Sequence, residues 1–282
     1  MPRLVTGVAF GSIFWVAQQV LQINPDGWTS KFVDHPLKKT YTGIPAIDST
    51  LSLLCLYFMI MLIPMALIWT IESYRPVVFG AVYQVFGIGK VAPIYYLISI
   101  YTSSNILYTR TTGRPIHSSV AHALLPALCI GYILPTALMF LPYTDPSIHQ
   151  TMVALWQPFP IYVAALTWGI ASIIRHTNPT QPLHLEMFEQ KDLTPLQASY
   201  SFAFGVTALT HLASLFYIFA SSSLSFAEVF FNLPGPATPA RAAAKSVFAF
   251  FKWDMVLCFA ATLVYCLYSV FELRRRHKID WW

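Results

Sequence analysis

The run that decides the fold is residues 49–72, which read STLSLLCLYFMIMLIPMALIWTIE. No charged side chain occurs in this run before its last residue, Glu72. An α-helix needs about 20 predominantly apolar residues to cross the hydrocarbon core of a bilayer. Because the run is long enough and apolar almost throughout, it predicts a transmembrane helix.

Six other apolar runs have a comparable length. The first begins after a basic residue, as a signal peptide does, but it lacks a clear small-residue cleavage site and so predicts a span. We predict an all-α polytopic membrane protein, a seven-transmembrane-helix bundle that forms a single domain over residues 1–282. The predicted spans are 4–23, 49–72, 77–102, 118–142, 151–174, 196–220 and 246–271.

The composition supports this class. Hydrophobic residues make up 56% of the chain and charged residues only 10%, whereas soluble domains contain about 25% charged residues. Too few charges are available to cover a soluble core, which excludes a soluble enzyme, a disordered chain and a nucleic-acid-binding protein. The cysteines lie in apolar runs without metal-ligand spacing, so neither a disulfide framework nor a metal site is predicted. These are Cys55, Cys129, Cys258 and Cys266.

The basic residues predict an orientation. An odd number of spans places the two termini on opposite sides of the membrane. Segments on the N-terminal side hold four Lys and Arg, and segments on the other side hold eleven. The positive-inside rule then predicts a luminal N-terminus and a cytosolic C-terminus, and we expect the membrane to be that of the endoplasmic reticulum.

Ionisable side chains inside membrane spans are costly and mark functional sites. Three stand out in the predicted spans: Glu72, Lys90 and Asp254. The predicted orientation places Glu72 near the luminal end of the second span. Asp254 lies eight residues after Ser246, about 12 Å into the last span from the same side. The carboxyl groups of Glu72 and Asp254 are therefore predicted to share the luminal half of the membrane.

Two carboxyl groups in an apolar cavity predict an acid site. Desolvation disfavours the carboxylate anion, so such a group holds a proton and can donate it to a weakly basic atom. A second carboxyl group nearby would reinforce the acid or stabilise the positive charge that follows. Structural alternatives remain open: Glu72 can pair with Arg75, and Asp254 can pair with Lys90 or Lys252.

Aromatic side chains surround both acids in the sequence. Aromatic faces stabilise cations, each by about 0.5–2 kcal/mol, so a cavity lined by them suits a carbocation reaction. The alternative is that these rings face lipid or form the interfacial belt of a membrane protein. The predicted substrate-binding residues are Trp69, Tyr74, Phe79, Tyr83, Trp156, His211, Phe250, Phe251 and Trp253.

Several signatures are missing from the sequence. No Asp-rich motif of the D-D-x-x-D type occurs, so no metal site for ionising a diphosphate is predicted. Glu186, Glu189 and Asp192 come closest, and their spacing indicates a solvated loop. Residues 87–90 read GIGK but lack the spacing of a phosphate-binding loop, so we interpret Lys90 as a counter-ion. The signature triplets of seven-helix receptors are missing too.

The chain resembles the small integral-membrane terpene cyclases of fungal meroterpenoid and indole-diterpene pathways. The resemblance rests on the seven-helix architecture, on Glu72 within WTIESYRP (69–76) and on Asp254 within FFKWD (250–254). The catalytic acids proposed for that family are a Glu in the second helix and an Asp in the last. Residues 175–195 and 221–245 make this chain longer than typical members, which leaves its branch of the family open.

The resemblance implies an acid-initiated cyclisation that needs no metal or organic cofactor. Its substrate would be an epoxidised prenyl chain, such as farnesyl, on an aromatic or polyketide core, and Glu72 and Asp254 would protonate the epoxide oxygen. The lipid bilayer and two pathway enzymes, a flavin epoxidase and a prenyltransferase, are the partners implied. Two other functions stay open: a sterol- or lipid-type double-bond isomerase, and a transporter without turnover.

Overall fold

Helices make up the regular structure of this chain. The computed structural model describes residues 2–20, 45–72, 76–102, 116–178, 185–186, 189–232 and 239–275. No β-strand occurs within these residues, which confirms the all-α prediction.

Twelve α-helices, numbered in chain order, occur in the described residues. A π-helical turn, Cys129–Ile133, joins the sixth to the seventh. The helices are α1 Pro2–Val20, α2 Pro45–Met61, α3 Ile63–Glu72, α4 Pro76–Phe86, α5 Ile88–Thr102, α6 Ser118–Leu128, α7 Leu134–Met139, α8 Pro146–Trp156, α9 Phe159–Thr177, α10 Leu193–Ala220, α11 Phe226–Phe230 and α12 Pro239–Arg275.

Length and apolar composition identify four helical stretches that can cross a membrane within the described residues. A fifth is obtained if α8 and α9, which meet at a bend of 55°, count as one broken span. The four are Ser49–Ile71, Ser118–Met139, Leu193–Ala220 and Val247–Arg275. All seven predicted runs contain helix, but seven crossings are not established by these criteria.

The outer surface fits contact with lipid. On α10, Phe204, Phe216 and Phe219 are each about three-quarters exposed, and Leu212 lies on the same side of the helix. A continuous apolar face of this kind is rare on soluble proteins and marks a surface that meets a membrane or a partner. The described helices are therefore compatible with an integral membrane protein.

The predicted third span, 77–102, is not one continuous helix. Gly87 separates α4 from α5 and has a φ of +84°, a conformation that glycine adopts readily and L side chains rarely do. The Phe79 ring in α4 packs edge-on against the Tyr95 ring in α5, with centroids 5.2 Å apart. A straight helix would separate these residues by about 24 Å. The two helices therefore fold back on each other at Gly87 as a hairpin, and the prediction of a single third span is wrong.

This hairpin changes the topology. Phe10 of α1 stacks on Tyr96 of α5 with centroids 6.1 Å apart, and Tyr96 stacks on Tyr265 of α12 at 4.6 Å. Further along α1, Ala17 packs with Leu257 in a separate cluster. The start of α1 and the end of α12 therefore lie at the same end of the bundle. The prediction of termini on opposite sides is wrong, because the turn at Gly87 adds a reversal of chain direction.

We expect both ends of the chain to lie in the cytosol. The end of the bundle that holds both of them also carries Arg274 and Arg275 in the last turn of α12, and cytosolic ends are enriched in such residues. In sealed microsomes, an epitope tag at either terminus should be digested by added protease without detergent. Protection of one tag alone would restore the opposite-side topology and contradict the hairpin.

Candidate functional site

The carboxyl group of Asp254 lies against the first turn of α5. The Gly89 N–H donates to Oδ1 at 2.7 Å, and the Ile88 N–H donates to Oδ2 at 3.3 Å. These are among the backbone donors that a helix leaves unpaired at its N-terminus, where the helix dipole also favours negative charge. Asp254 is only 4% exposed and lies near the middle of α12.

Two glycines make this contact possible. A Cβ atom at Gly87 would lie 2.7 Å from Oδ1 of Asp254, and one at Gly89 would lie 2.9 Å from the Asp254 carbonyl oxygen. Real Cβ atoms essentially never approach another atom so closely. The GIGK segment at 87–90 is therefore the binding site, or seat, of the Asp254 carboxyl group. Its sequence lacks the spacing of a phosphate-binding loop and does not predict this role.

A cavity of about 310 Å³ opens beside the acid. This volume is at the lower end of the roughly 300–1,000 Å³ that is common for ligand sites. Its walls come from α2, the end of α4, the turn after α7, α8 and α12. The residues that line it include Cys55, Phe58, Met59, Tyr83, Gln84, Met139, Leu141, His149, Trp156, Phe250, Phe251 and Asp254.

Five predicted site residues meet at this cavity: Asp254, Phe250, Phe251, Tyr83 and Trp156. Phe250 and Phe251 lie one turn before the acid, and their ring centroids are 5.7 Å apart. Trp156 is 7% exposed, and its indole N–H donates to Thr136 Oγ1 at 3.0 Å. Because its only polar group is already paired, Trp156 can offer a ligand its ring but no hydrogen bond.

Trp69 and Phe79 belong to an adjoining aromatic cluster. Trp69 lines a separate void of about 40 Å³, whose lining shares Tyr83 and Ile88 with the larger cavity. The Trp69 ring stacks on Tyr95 with centroids 4.1 Å apart, and Phe79 packs on the other edge of that cluster. These two predicted residues therefore support the wall of the site behind Tyr83.

His211 and Trp253 lie away from the cavity. His211 is exposed, and its Nδ1 atom is 2.9 Å from the Tyr57 hydroxyl group. Trp253 packs beside α1, in the cluster that contains Ala17 and Leu257. Neither side chain is among those that line the cavity with Asp254.

Glu72 ends α3, but its side chain and the whole of Tyr74 lie outside the described residues. The position of α3 still bears on the predicted pairing of acids. Trp69 donates to the Tyr96 hydroxyl group, which lies 3.0 Å from Thr262 Oγ1. Thr262 is about 12 Å further along α12 than Asp254, and Glu72 lies one turn beyond Trp69. The backbones of the two acids are therefore at different levels, contrary to the prediction of a shared half.

The lysines suggested as structural partners of Asp254 differ from each other. Lys252 donates to the Phe231 carbonyl group at 3.3 Å and lies over the rings of Phe248 and Trp253. Lys90 is buried and close enough to interact electrostatically with Asp254. A cation and two N–H donors thus stabilise negative charge on the Asp254 carboxyl group.

The arrangement fits a proton donor. When a carboxylic acid gives up its proton it leaves a carboxylate, and the N–H groups at the start of α5 stabilise that product. The donor lies on the wall of a cavity whose other walls are mostly apolar and aromatic. The polar donors therefore favour proton release, and the aromatic rings can stabilise a cation formed beside the acid.

The described part of the chain contains no evident metal-binding site. No group of three or more His, Cys, Asp or Glu side chains comes together there as a metal ion would require. Glu186 and Asp192, which we interpreted as a solvated loop, are instead buried, and they accept hydrogen bonds from the N–H groups of Ser118 and Ile116. These two acids anchor the start of α6.

Replacing Gly89 with alanine should disturb the seat of the acid. The added methyl group would force Asp254 away from the α5 N-terminus, and overpacking of this kind costs about 1–3 kcal/mol. We expect Gly89→Ala to lower the melting temperature of the detergent-solubilised protein. Gly205→Ala is the matched control, because a Cβ atom there meets nothing within 4 Å. Equal stability of the two variants would contradict the proposed seat.

Comparisons with known proteins identify relatives of this chain. The FAD-dependent monooxygenase verC1 of Penicillium polonicum is 28% identical over 219 residues, which are 73% of this chain and 26% of that protein. The terpene cyclase ctvD of Aspergillus terreus is 35% identical over 109 residues, 36% of this chain and 30% of that protein. The terpene cyclase atmA of Aspergillus flavus is 23% identical over 278 residues, which cover 82% of this chain and 72% of atmA.

The matched region thus spans about a quarter to a third of the first two relatives. No solved structure matches the chain significantly. The sequence model of the CtvD domain matches residues 65–282, which include the Gly87 hairpin, Asp254 and every cavity wall except the one from α2. Because this model matches most of the chain, the chain belongs to the CtvD domain family. This membership confirms the resemblance to the fungal membrane terpene cyclases.

Proposed function

We propose that this protein is a membrane-bound terpene cyclase that starts ring closure by protonating an epoxide. Its substrate is an epoxidised prenyl chain, such as farnesyl, attached to an aromatic or polyketide core. The proposal depends above all on Asp254, a buried carboxyl group that faces an aromatic cavity and is held by two backbone donors. The endoplasmic reticulum membrane is the proposed location.

The reaction begins when the Asp254 carboxyl group transfers its proton to the epoxide oxygen. The bond between that oxygen and the more substituted carbon breaks, its electron pair stays on the oxygen, and a hydroxyl group and a tertiary cation result. An internal alkene or an oxygen nucleophile then attacks the cation and closes the ring. Loss of a proton from the product cation completes the sequence and restores the proton count.

The surroundings of Asp254 suit both charges formed in this step. Negative charge on the carboxylate meets the N–H groups of Ile88 and Gly89. Positive charge on the substrate meets the rings of Phe250, Phe251 and Tyr83, which line the same cavity. Because these groups are fixed by the fold, they need little reorganisation as the charges develop.

The relatives support an epoxide as the substrate. Both verC1 and BOA8 of Botryotinia fuckeliana are named FAD-dependent monooxygenases, and only about a quarter of each matches this chain. In those proteins a segment similar to this chain is joined to a longer remainder. A flavin monooxygenase inserts oxygen into organic substrates, so such a fusion fits an epoxide that passes from one step to the next.

Removing the acid should abolish cyclisation. We expect Asp254→Asn to reduce turnover of an epoxyfarnesyl phenol in microsomes by about 10²–10⁴-fold, the usual contribution of general acid catalysis. Glu272→Gln is the matched control, since Glu272 is also a buried acid of α12 but pairs with Arg275, outside the cavity. Full activity of Asp254→Asn, per amount of protein, would remove Asp254 from the mechanism.

Glu72 is proposed as the second acid, and its relation to Asp254 can be measured. If the two groups form one hydrogen-bonded pair, Glu72→Gln, Asp254→Asn and the double variant should lose activity to the same extent. Because Glu72 lies at a different level of the bundle, we expect the losses to be independent and therefore to multiply. An equal loss of activity in all three variants would show instead that Glu72 and Asp254 act as one hydrogen-bonded pair.

Product analysis separates the cyclase from the isomerase alternative. A double-bond isomerase would convert the unepoxidised farnesyl phenol and would form no ring. We expect the unepoxidised compound to remain unchanged and the epoxide to yield a cyclic alcohol or ether. Conversion of the unepoxidised compound without ring formation would favour the isomerase.

A further inference from the structure

The carboxamide of Gln84 is a polar group that the proton transfer described above does not use. Gln84 lies on α4 and lines the same cavity as Asp254. Its Nε2 atom is buried and has no hydrogen-bond partner among the residues that the structure describes. Burying an amide donor without a partner is costly, so the group indicates a partner that the described residues do not supply, and its place in the cavity wall points to a bound ligand.

Gln84 lies about one helical turn before Gly87, the residue that faces the acid. The Gly87 N–H donates to the Tyr83 carbonyl group at 2.8 Å, so helical spacing continues from Tyr83 to Gly87. Residues three apart at this spacing lie on the same helix face, which places Gln84 above Gly87. Gly87 in turn faces Oδ1 of Asp254. The amide and the carboxyl group therefore lie on neighbouring parts of one wall.

We propose that the Gln84 carboxamide binds the substrate oxygen that Asp254 protonates. An epoxide oxygen has two lone pairs, so it can accept the proton from the acid and a hydrogen bond from the amide at once. An amide N–H donates without competing for the proton, because an amide nitrogen is not basic. This assignment rests on the proposed function and names Gln84 as the residue that selects an oxygenated chain end.

The consequence is a binding preference for the epoxide over the alkene. A prenyl chain without the oxygen leaves the Gln84 donor unpaired, whereas the epoxide satisfies it. A neutral hydrogen bond of this kind changes affinity by about three- to tenfold. The apolar part of the chain contacts the same aromatic rings in both compounds.

Equilibrium displacement tests this preference without requiring turnover. Radiolabelled farnesyl phenol is bound to the full-length solubilised protein in the Asp254→Asn background, which suppresses the reaction, and is displaced by unlabelled farnesyl phenol or its epoxide. We expect the epoxide to displace about three- to tenfold better. Adding Gln84→Leu should remove that advantage without weakening the binding of farnesyl phenol, because this compound makes no hydrogen bond to Gln84. Gln150→Leu, on α8 but away from the cavity, is the control.

The outcomes separate this inference from the proposed function. An epoxide preference that survives Gln84→Leu, or that is missing in the Asp254→Asn protein itself, overturns the role of Gln84. Absence of cyclised product from the wild-type protein overturns the proposed function instead and leaves the binding result unaffected. A variant that still binds farnesyl phenol is folded. If the Gln84→Leu protein does not bind farnesyl phenol, the experiment uses Gln84→Met instead, because methionine keeps an unbranched side chain.

Discussion

The hydrogen bonds between the Asp254 carboxyl group and the N-terminus of α5 are the contacts on which the rest of the site depends. They require a helix that begins inside the bundle, because its first N–H groups have no partner within the helix. A continuous span over 77–102 would have paired those N–H groups within the helix. The turn at Gly87 therefore both breaks the helix and creates the binding site for the acid.

The same turn sets the layout of the aromatic residues. Because α4 folds back along α5, Tyr83 stands between the cavity and the cluster built around Trp69 and Tyr95. Trp69 is held by its hydrogen bond to Tyr96, and Tyr96 is in contact with α1 and α12. Ring positions near the acid are thus fixed by contacts that lie outside the cavity. A cation formed beside Asp254 would meet rings that cannot easily turn away.

Much of this could be predicted from the sequence, and the errors in the predicted topology share one cause. Apolar length identified the helical runs, and the cost of a buried charge singled out Asp254 correctly as a buried acid. Hydropathy reports apolar length but not direction, so it could not distinguish a span from a hairpin of two short helices. That single difference led to the predictions that the termini lie on opposite sides and that Glu72 and Asp254 share one half of the membrane. The available signal was the pair Gly87 and Gly89 inside an apolar run, since glycine in a helix interior is unfavourable without a structural reason.

Aromatic residues were harder to assign, because type and spacing do not tell which side of a helix faces a cavity. Phe250, Phe251, Tyr83 and Trp156 reach it, whereas the exposed His211 contacts Tyr57 instead. The difference lies in the packing of neighbouring helices, which a single sequence does not contain.

The geometry of the cavity also suggests how a long substrate would enter. Asp254 and Gln84 lie on one wall, while Leu141 and Pro142 line the cavity from an exposed turn. The epoxide is at the end of the prenyl chain that is farthest from the aromatic or polyketide core. Under the proposed function, the chain would therefore enter with its oxygenated end first, and the bulky core would stay near that turn. Ring formation would then depend on how the chain folds against the aromatic walls, so related proteins could accept different cores while keeping the same acid.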